Sequence, residues 1–465
     1  MKYLLAALII VVVCFYFFYP EKKEIRSIFP LEHYSQTISD WIKPTDKNYD
    51  IPLLAKEQQK TAMDHFYQRF MGELSPWSET HIKKIIDDNI LKSQEELIHL
   101  FSNKNKPENE INYAENDRPY SDVWLNAITE NMNLSQLQHL KYQANQRAMM
   151  VNNADARSLP TMDPAFYSEK IPGQGYPFDN LQVSAVWAGT PVYVLGETRD
   201  HAWKLIITPD FVAWVKAETL VMADKHFIQQ WQSAGKKQLT AINKTNTSMV
   251  DARGNFYFSA YVGSVFPAVN ASTLLIPIVS NHHAAIAIIK TENATLMPQT
   301  ITPHHIADIM SILIGRPYGW GNSYFYNDCS AELKNLYTPF GIWLPRSSVD
   351  QIRAGHVINL DTLSTKERLN YLKEHGHPLM TLVYIGEHIF LYVGTIANPN
   401  SEKHEAVLLS YQNVWGLKPH PPTRRAIIGQ AVLFPLLETY PEDKTLASFA
   451  ARKEFQVIFL DIAPP

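Results

Sequence analysis

The segment Asn327–Leu333 reads NDCSAEL and centres on Cys329. Asp328 is of a type favoured at helix N-caps, so the segment predicts a helix from Cys329 to about Leu336, ended by Pro339. The thiol would then lie in the first turn, where the helix dipole and free backbone N–H groups favour a thiolate. The segment therefore predicts a candidate cysteine nucleophile in the first turn of a helix.

The chain has one other cysteine, Cys14, which lies in the apolar run Tyr3–Tyr19. These seventeen residues are near the lower limit for a membrane-spanning helix, and no Ala-x-Ala-like cleavage site follows them. A retained anchor, a cleaved signal and a lipidated cysteine are three interpretations of residues 1–26, and the retained anchor is favoured. Each sends the rest of the chain out of the cytoplasm, where an unpaired thiol is unusual unless it has a function.

Composition is that of an ordinary globular protein, with 465 residues, 46% hydrophobic and 19% charged. The formal net charge of −4 gives no electrostatic basis for binding nucleic acid. At roughly 150 residues per domain, the length indicates about three domains. Twenty-nine prolines and 12% aromatic residues predict many short strands and turns in part of the chain.

The texture of the sequence changes twice, which predicts a multi-domain fold. Residues 27–160 carry apolar residues at helical spacing and are predicted to form a helical N-terminal domain, including a polar helix over Leu134–Met150. Two sets of short β-like runs follow, predicting two small SH3-like β-barrels over 161–225 and 226–300. Residues 301–465 have helices followed by strands, which favours an α+β domain with an antiparallel sheet.

A thiol nucleophile needs a base, and His388 is the best candidate because it precedes the predicted strand Ile389–Val393. A third polar group would orient the imidazole, and Gln412 or Asn413 at the end of the next strand could do so. Spacing alone leaves a buried structural cysteine open, since seventeen histidines make some pairing inevitable.

The C-terminal third resembles the NlpC family of papain-like cysteine peptidases. The resemblance rests on the following segments, which occur in the family's order: Pro317–Gly321 (PYGWG), Asp328–Ser330 (DCS), Leu344–Ser348 (LPRSS), Gly386–Gly394 (GEHIFLYVG) and Gln412–Gly416 (QNVWG). Upstream, Tyr176–Asp179 (YPFD) and Asp200–Trp203 (DHAW) are similar to the bacterial SH3-like domain that precedes some of these peptidases.

The resemblance implies cleavage of the γ-D-glutamyl–diamino-acid bond of murein peptides by a cysteine peptidase without cofactor or metal. It implies Cys329 as nucleophile, His388 as general base and acid, and Gln412 as the orienting residue, although this third position is often histidine in the family. It further implies a substrate pocket in which an SH3-like domain admits only unlinked peptides. The residues implied to bind the substrate, partly through the free amine of its L-alanine, are Tyr318, Trp320, Asp328, Ser330 and Ser348.

We therefore expect an exported bacterial enzyme, periplasmic and inner-membrane anchored or secreted, that acts as a monomer on murein peptides. Nucleic acid is not an expected partner, and only the N-terminal segment is expected to meet a membrane. Two alternatives are an endopeptidase acting on intact glycan-linked peptidoglycan and a non-catalytic wall-binding protein.

Overall fold

A computed structural model describes residues 25–27, 31–171, 173–400, 406–418, 425–441 and 443–462. The predicted anchor over residues 1–26 lies outside these ranges, except for Ile25 and Arg26. No helix within the described ranges is long and apolar enough to cross a membrane.

The described residues form ten α-helices, of which the first five lie in the region predicted to be helical. In chain order they are α1 Ile38–Trp41, α2 Lys56–Phe70, α3 Glu79–Asp87, α4 Ile90–Phe101, α5 Asp122–Asn131, α6 Lys225–Lys237, α7 Pro303–Leu313, α8 Cys329–Tyr337, α9 Ser348–Gln351 and α10 Thr365–His375.

Twenty-one strands are described, and the strands predicted in both SH3-like regions and in the C-terminal third are confirmed to within a few residues. They are β1 Ile25–Ser27, β2 Arg147–Met150, β3 Ala154–Arg157, β4 Gln182–Val186, β5 Pro191–Glu197, β6 Trp203–Ile207, β7 Val212–Lys216, β8 Leu220–Met222, β9 Leu239–Ile242, β10 Thr247–Val250, β11 Phe256–Ala260, β12 Val265–Asn270, β13 Thr273–Ser280, β14 His283–Lys290, β15 Ala294–Met297, β16 His356–Asn359, β17 Thr381–Tyr384, β18 Ile389–Ala397, β19 Ala406–Leu417, β20 Arg425–Leu436 and β21 Gln456–Phe459.

The predicted polar helix over Leu134–Met150 is wrong. Two 3₁₀ turns, Leu134–Leu137 and Ala144–Gln146, lead instead into β2, which pairs with β5 and β8. Met149 and Met150 are fully buried in this position. Tertiary burial of these side chains therefore outweighs the helical preference of the local sequence.

Two sheets form the middle of the chain. The first has seven strands in the order β4-β3-β7-β6-β5-β2-β8, so β2 and β3 belong to it although they precede residue 161. The second has five strands in the order β14-β13-β12-β9-β15 and lies beside the hairpin β10-β11. Helix α6 connects the two sheets and packs against β12.

The C-terminal third is built around a seven-stranded sheet in the order β1-β20-β19-β18-β17-β21-β16. Its strands pair antiparallel, except that β1 runs parallel to β20. Helix α8 packs against β18 and β19, as expected for an α+β domain. Cys329, Leu333 and Leu336 on α8 share one hydrophobic core with the strands, which fixes the start of the helix over the sheet.

Candidate active site

Helix α8 begins at Cys329, and its N-cap is Asp328, as predicted. The Asp328 carboxylate accepts a hydrogen bond of 2.9 Å from the backbone N–H of Ala331, which satisfies a free donor of the first turn. Cys329 is 7% exposed and has no disulfide partner within the described chain. The cap and the packing of α8 together hold the thiol at a defined point above the sheet.

His388 is positioned by the tight hairpin between β17 and β18. The turn residues Gly386 and Glu387 both have positive φ, at 75° and 60°, and Ile385 N–H donates to His388 O over 2.9 Å. Two consecutive positive φ values match the right-handed twist of paired strands and close the hairpin in two residues. The turn brings His388 to the start of β18, next to Ile389, whose backbone N–H donates to the Cys329 thiol.

Gln412 on β19 orients the imidazole, and its own amide is oriented by Ser410. The Ser410 hydroxyl donates to Phe434 O (2.8 Å), so its oxygen is left to accept from Gln412 Nε2 (2.9 Å). Gln412 Oε1 then lies 2.7 Å from His388 Nε2 and accepts a hydrogen bond from its N–H. In the neutral imidazole Nδ1 is consequently unprotonated and free to act as a base.

Asn413, the alternative orienting residue, is engaged elsewhere. Its amide lies 3.4 Å from the carboxylate of Glu332, which is fully buried on α8. Glu332 also accepts from Asn327 Nδ2 (2.8 Å) and from the Tyr411 hydroxyl. Sequence reasoning missed this buried network, which ties the nucleophile helix to the strand that carries Gln412.

The expected thiolate is not found in this environment. Burial, and to a lesser extent the negative charge of Asp328, raise the pKa of the Cys329 thiol to about 12, although the hydrogen bond from the Ile389 N–H lowers it. Burial also lowers the pKa of His388 to about 4, although the hydrogen bond that the imidazole donates to Gln412 opposes this change. The resting pair near pH 7 is therefore a thiol and a neutral imidazole, because desolvation disfavours both charged forms.

Cys329 and His388 line the same cavity of about 350 Å³. Of the residues implied to bind substrate, Tyr318 and Trp320 lie in its wall. Residues from the first SH3-like region complete the wall and include Glu169, Lys170, Phe178 and Asn180. Phe178 meets Trp320 edge-on at a centroid distance of 5.2 Å and Trp415 at 5.9 Å. The Trp320 indole N–H donates to Asp179 O over 3.1 Å, which fixes this side of the cavity.

Asp328, Ser330 and Ser348 do not belong to this lining. Both oxygens of Asp328 are held by Arg346, at 2.6 Å and 3.1 Å, and the same guanidinium donates to Ser330 Oγ at 2.9 Å. Arg346 Nε also donates a hydrogen bond of 2.6 Å to the hydroxyl oxygen of Ser184 in the first SH3-like region. Arg346 therefore already bonds both groups to which the resemblance assigns binding of the substrate amine.

Phe449 lies over the imidazole of His388 and was not singled out from the sequence. The two rings stack at a centroid distance of 5.6 Å, and Phe449 also contacts Phe390 and Phe434. It follows β20 by more than ten residues, so no local pattern connects it to His388. The stack covers one face of the imidazole.

Comparisons with known proteins agree with this architecture. Residues 164–216 match the SH3 domain of SH3b1 type, and residues 224–272 match the SH3 domain of SH3b2 type. A γ-D-glutamyl-L-lysine dipeptidyl-peptidase of Bacillus subtilis is 23% identical over 273 residues, covering 54% of this chain and 82% of that protein.

Among solved structures, an NlpC/P60 endopeptidase from Photobacterium damselae subsp. piscicida superimposes with a TM-score of 0.79. It is 28% identical, and the match covers 96% of this chain and 100% of that one. The resemblance to NlpC-type cysteine peptidases with bacterial SH3-like domains is thereby confirmed.

Proposed function

We propose that this chain is a thiol-dependent endopeptidase that cleaves the γ-D-glutamyl–diamino-acid bond of murein stem peptides with a free N-terminal L-alanine. The observation that carries the proposal is the ordered set Cys329, His388 and Gln412 in a cavity walled by the first SH3-like domain. The γ-D-glutamyl-L-lysine dipeptidyl-peptidase of Bacillus subtilis supports the choice of bond, since 82% of it is similar to this chain.

Catalysis begins from the neutral pair. As Cys329 Sγ attacks the γ-carbonyl carbon, Nδ1 of His388 takes the thiol proton, and Gln412 accepts from Nε2–H throughout. The tetrahedral intermediate collapses when the imidazolium returns that proton to the amine of the departing diamino acid. Water, deprotonated by the imidazole, then hydrolyses the thioester and regenerates the thiol.

The enclosure of the cavity and the two carboxylates in its lining support the proposed need for a free amine. A glycan on the L-alanine nitrogen would have to pass the wall formed by Phe178 and Trp320, which are locked together edge-on. A free amine is cationic, and the carboxylates of Glu169 and Glu387 line the cavity. We assign recognition of the amine to this pair rather than to Asp328, which Arg346 neutralises.

We place the enzyme outside the cytoplasm of a bacterium, in contact with murein fragments. This proposal rests on the apolar segment Tyr3–Tyr19 and on the peptidase relatives. The lone thiol in such a compartment is then accounted for, because burial with a raised pKa protects Cys329 from oxidation between turnovers.

Mass spectrometry of purified protein incubated with three peptides tests the proposal. The free tripeptide L-Ala-γ-D-Glu-diaminopimelate should be cleaved to L-Ala-D-Glu, whereas the N-acetylated and disaccharide-linked forms should remain intact. Cys329→Ala should cleave none of them and should retain its thermal midpoint, because a small residue replaces a small one. Cleavage of the disaccharide-linked form at the same rate would instead identify an endopeptidase of intact peptidoglycan.

A further inference from the structure

Residues 443–455, which lie between β20 and β21, fold back over the active site. Ala447, Phe449 and Arg452 from this segment line the cavity that holds Cys329 and His388. The segment then continues into β21, which is paired on both sides by β17 and β16. Both ends of the segment are thus anchored in the catalytic sheet.

The backbone at Arg452 is held by a second arginine, Arg368 on α10. The Arg368 side chain is 4% exposed and donates to the carbonyls of Ala450 (2.8 Å) and Arg452 (2.6 Å). It also donates to the carbonyls of Leu360 and Asp361. All of these hydrogen bonds are to backbone carbonyls. They fix the backbone position of Arg452 and do not involve its side chain.

The Arg452 guanidinium has no carboxylate within ion-pair distance among the described residues. The positive charge of Arg452 nevertheless acts on the active site, because it lowers the pKa of His388. Arg346, by contrast, is saturated by Asp328, Ser330 and Ser184. Arg452 is therefore a half-buried cation that lines the cavity near the base without an internal counter-ion.

We propose that Arg452 binds a substrate carboxylate beside the scissile bond. The inference rests on the proposed function, whose substrate offers two such groups. A γ-linked glutamyl residue keeps its α-carboxylate free, and a C-terminal diamino acid carries another on the departing side. Arginine suits either group, because its planar fork can donate two parallel hydrogen bonds to one carboxylate.

Three tripeptides distinguish the two sources: the unmodified peptide, its α-carboxamide at the glutamyl residue, and its carboxamide at the diamino acid. Arg452→Ala should lower kcat/KM on the unmodified peptide by about 10- to 100-fold, as expected for a lost hydrogen bond to a charged group. The carboxamide that removes the bound group should be cleaved at a similar rate by wild type and variant. The other carboxamide should show the full loss, which identifies the carboxylate that Arg452 binds.

Lys418→Ala is the matched control, because Lys418 is a cation that lines the same cavity but is not among the groups that shift the pKa of His388. It should preserve the wild-type ratios among the three peptides, and Arg452→Lys should restore part of the rate. Equal losses for Arg452→Ala on all three peptides, or no loss on any, would refute the inference while leaving the proposed function intact. If the wild type cleaves none of the three, the proposed function fails, and the role of Arg452 falls with it.

Discussion

In the first SH3-like domain, Glu169, Phe178 and Asn180 are among the residues that line the cavity, whereas in the second the turn at Val262 and Gly263 packs against the C-terminal domain away from that cavity. A side chain added at Gly263 would come within 2.2 Å of Asn335 Oδ1, near the end of α8. Asn335 in turn donates to Asn327 over 2.8 Å. The two SH3 domains, of SH3b1 and SH3b2 type, thus have different positions: the first lines the cavity and the second contacts the helix that begins at Cys329.

The largest expected effects on turnover are those of substitutions at His388 and Gln412. His388→Ala should lower turnover by at least about 10²–10⁴-fold, the range of a general base. Gln412→Ala should lose less, because it disturbs the tautomer without removing the base. Asn413→Ala should leave turnover near wild type, since its amide bonds Glu332 instead. Steady-state kinetics on the free tripeptide measure all three, and a larger loss from Asn413 than from Gln412 would contradict the assignment.

Truncation of Phe178 tests the role given to the first domain. Phe178→Ala removes the ring that contacts Trp320 and Trp415, so the variant should cleave N-acetylated or disaccharide-linked peptides that the wild type rejects. We expect the activity on the free peptide to fall by about tenfold as its packing is lost. The matched control is Phe258→Ala in the second domain, which should cost about 3–5 kcal/mol of stability. An unchanged preference in Phe178→Ala would refute selection by the wall.

The pH dependence of stability reports on the buried pair itself. The folded pKa of His388, about 4, lies below its unfolded value, so the unfolded chain binds more protons between about pH 4 and 6.5. The free energy of unfolding should therefore fall as the pH drops through this window. For Cys329 the folded pKa of about 12 lies above the unfolded value, so stability should also fall as the pH rises above about 9.

Denaturant titrations over pH check both limbs of this profile. His388→Gln should flatten the acid limb, and Cys329→Ala the alkaline one. Asp328, which raises the pKa of His388, and Arg452, which lowers it, remain in place in both variants. A stability profile of His388→Gln identical to that of the wild type would show that the imidazole is not desolvated.

Gly263→Ala tests the supporting role of the second domain, with the smallest effect on catalysis. Its φ of 94° is strained for an L side chain, and the new methyl group would collide with Asn335. We expect a lower thermal midpoint with an unchanged ratio of kcat/KM between free and N-acetylated peptides. A change in that ratio would mean that the second domain also takes part in substrate selection.

The residues that could be predicted from the sequence lie in continuous segments with a local physical signature. Asp328 is recognisable as an N-cap, and His388 stands at the start of an alternating strand, so the positions of Cys329 and His388 followed from adjacent residues. The two sets of short strands indicated the SH3-like regions in the same way.

The features that were missed depend on contacts between distant segments. Ser410 orients Gln412 through a carbonyl on the next strand, and Phe449 reaches His388 from beyond β20. The raised pKa of Cys329 reflects its burial by distant segments, which no local pattern indicates. The prediction of a helix over Leu134–Met150 failed for the same reason, because β2 pairs with the distant strands β5 and β8.

Strand β21 is the last strand in chain order, yet it lies inside the sheet, between β17 and β16. A ribosome therefore finishes the segments that carry Cys329, His388 and Gln412 before it makes the strand that closes their sheet. Until β21 is in place, β17 and β16 have no common partner, and the far end of the segment that carries Phe449 and Arg452 is not yet anchored. The order of synthesis thus delays completion of the proposed active site until Gln456–Phe459 has been translated.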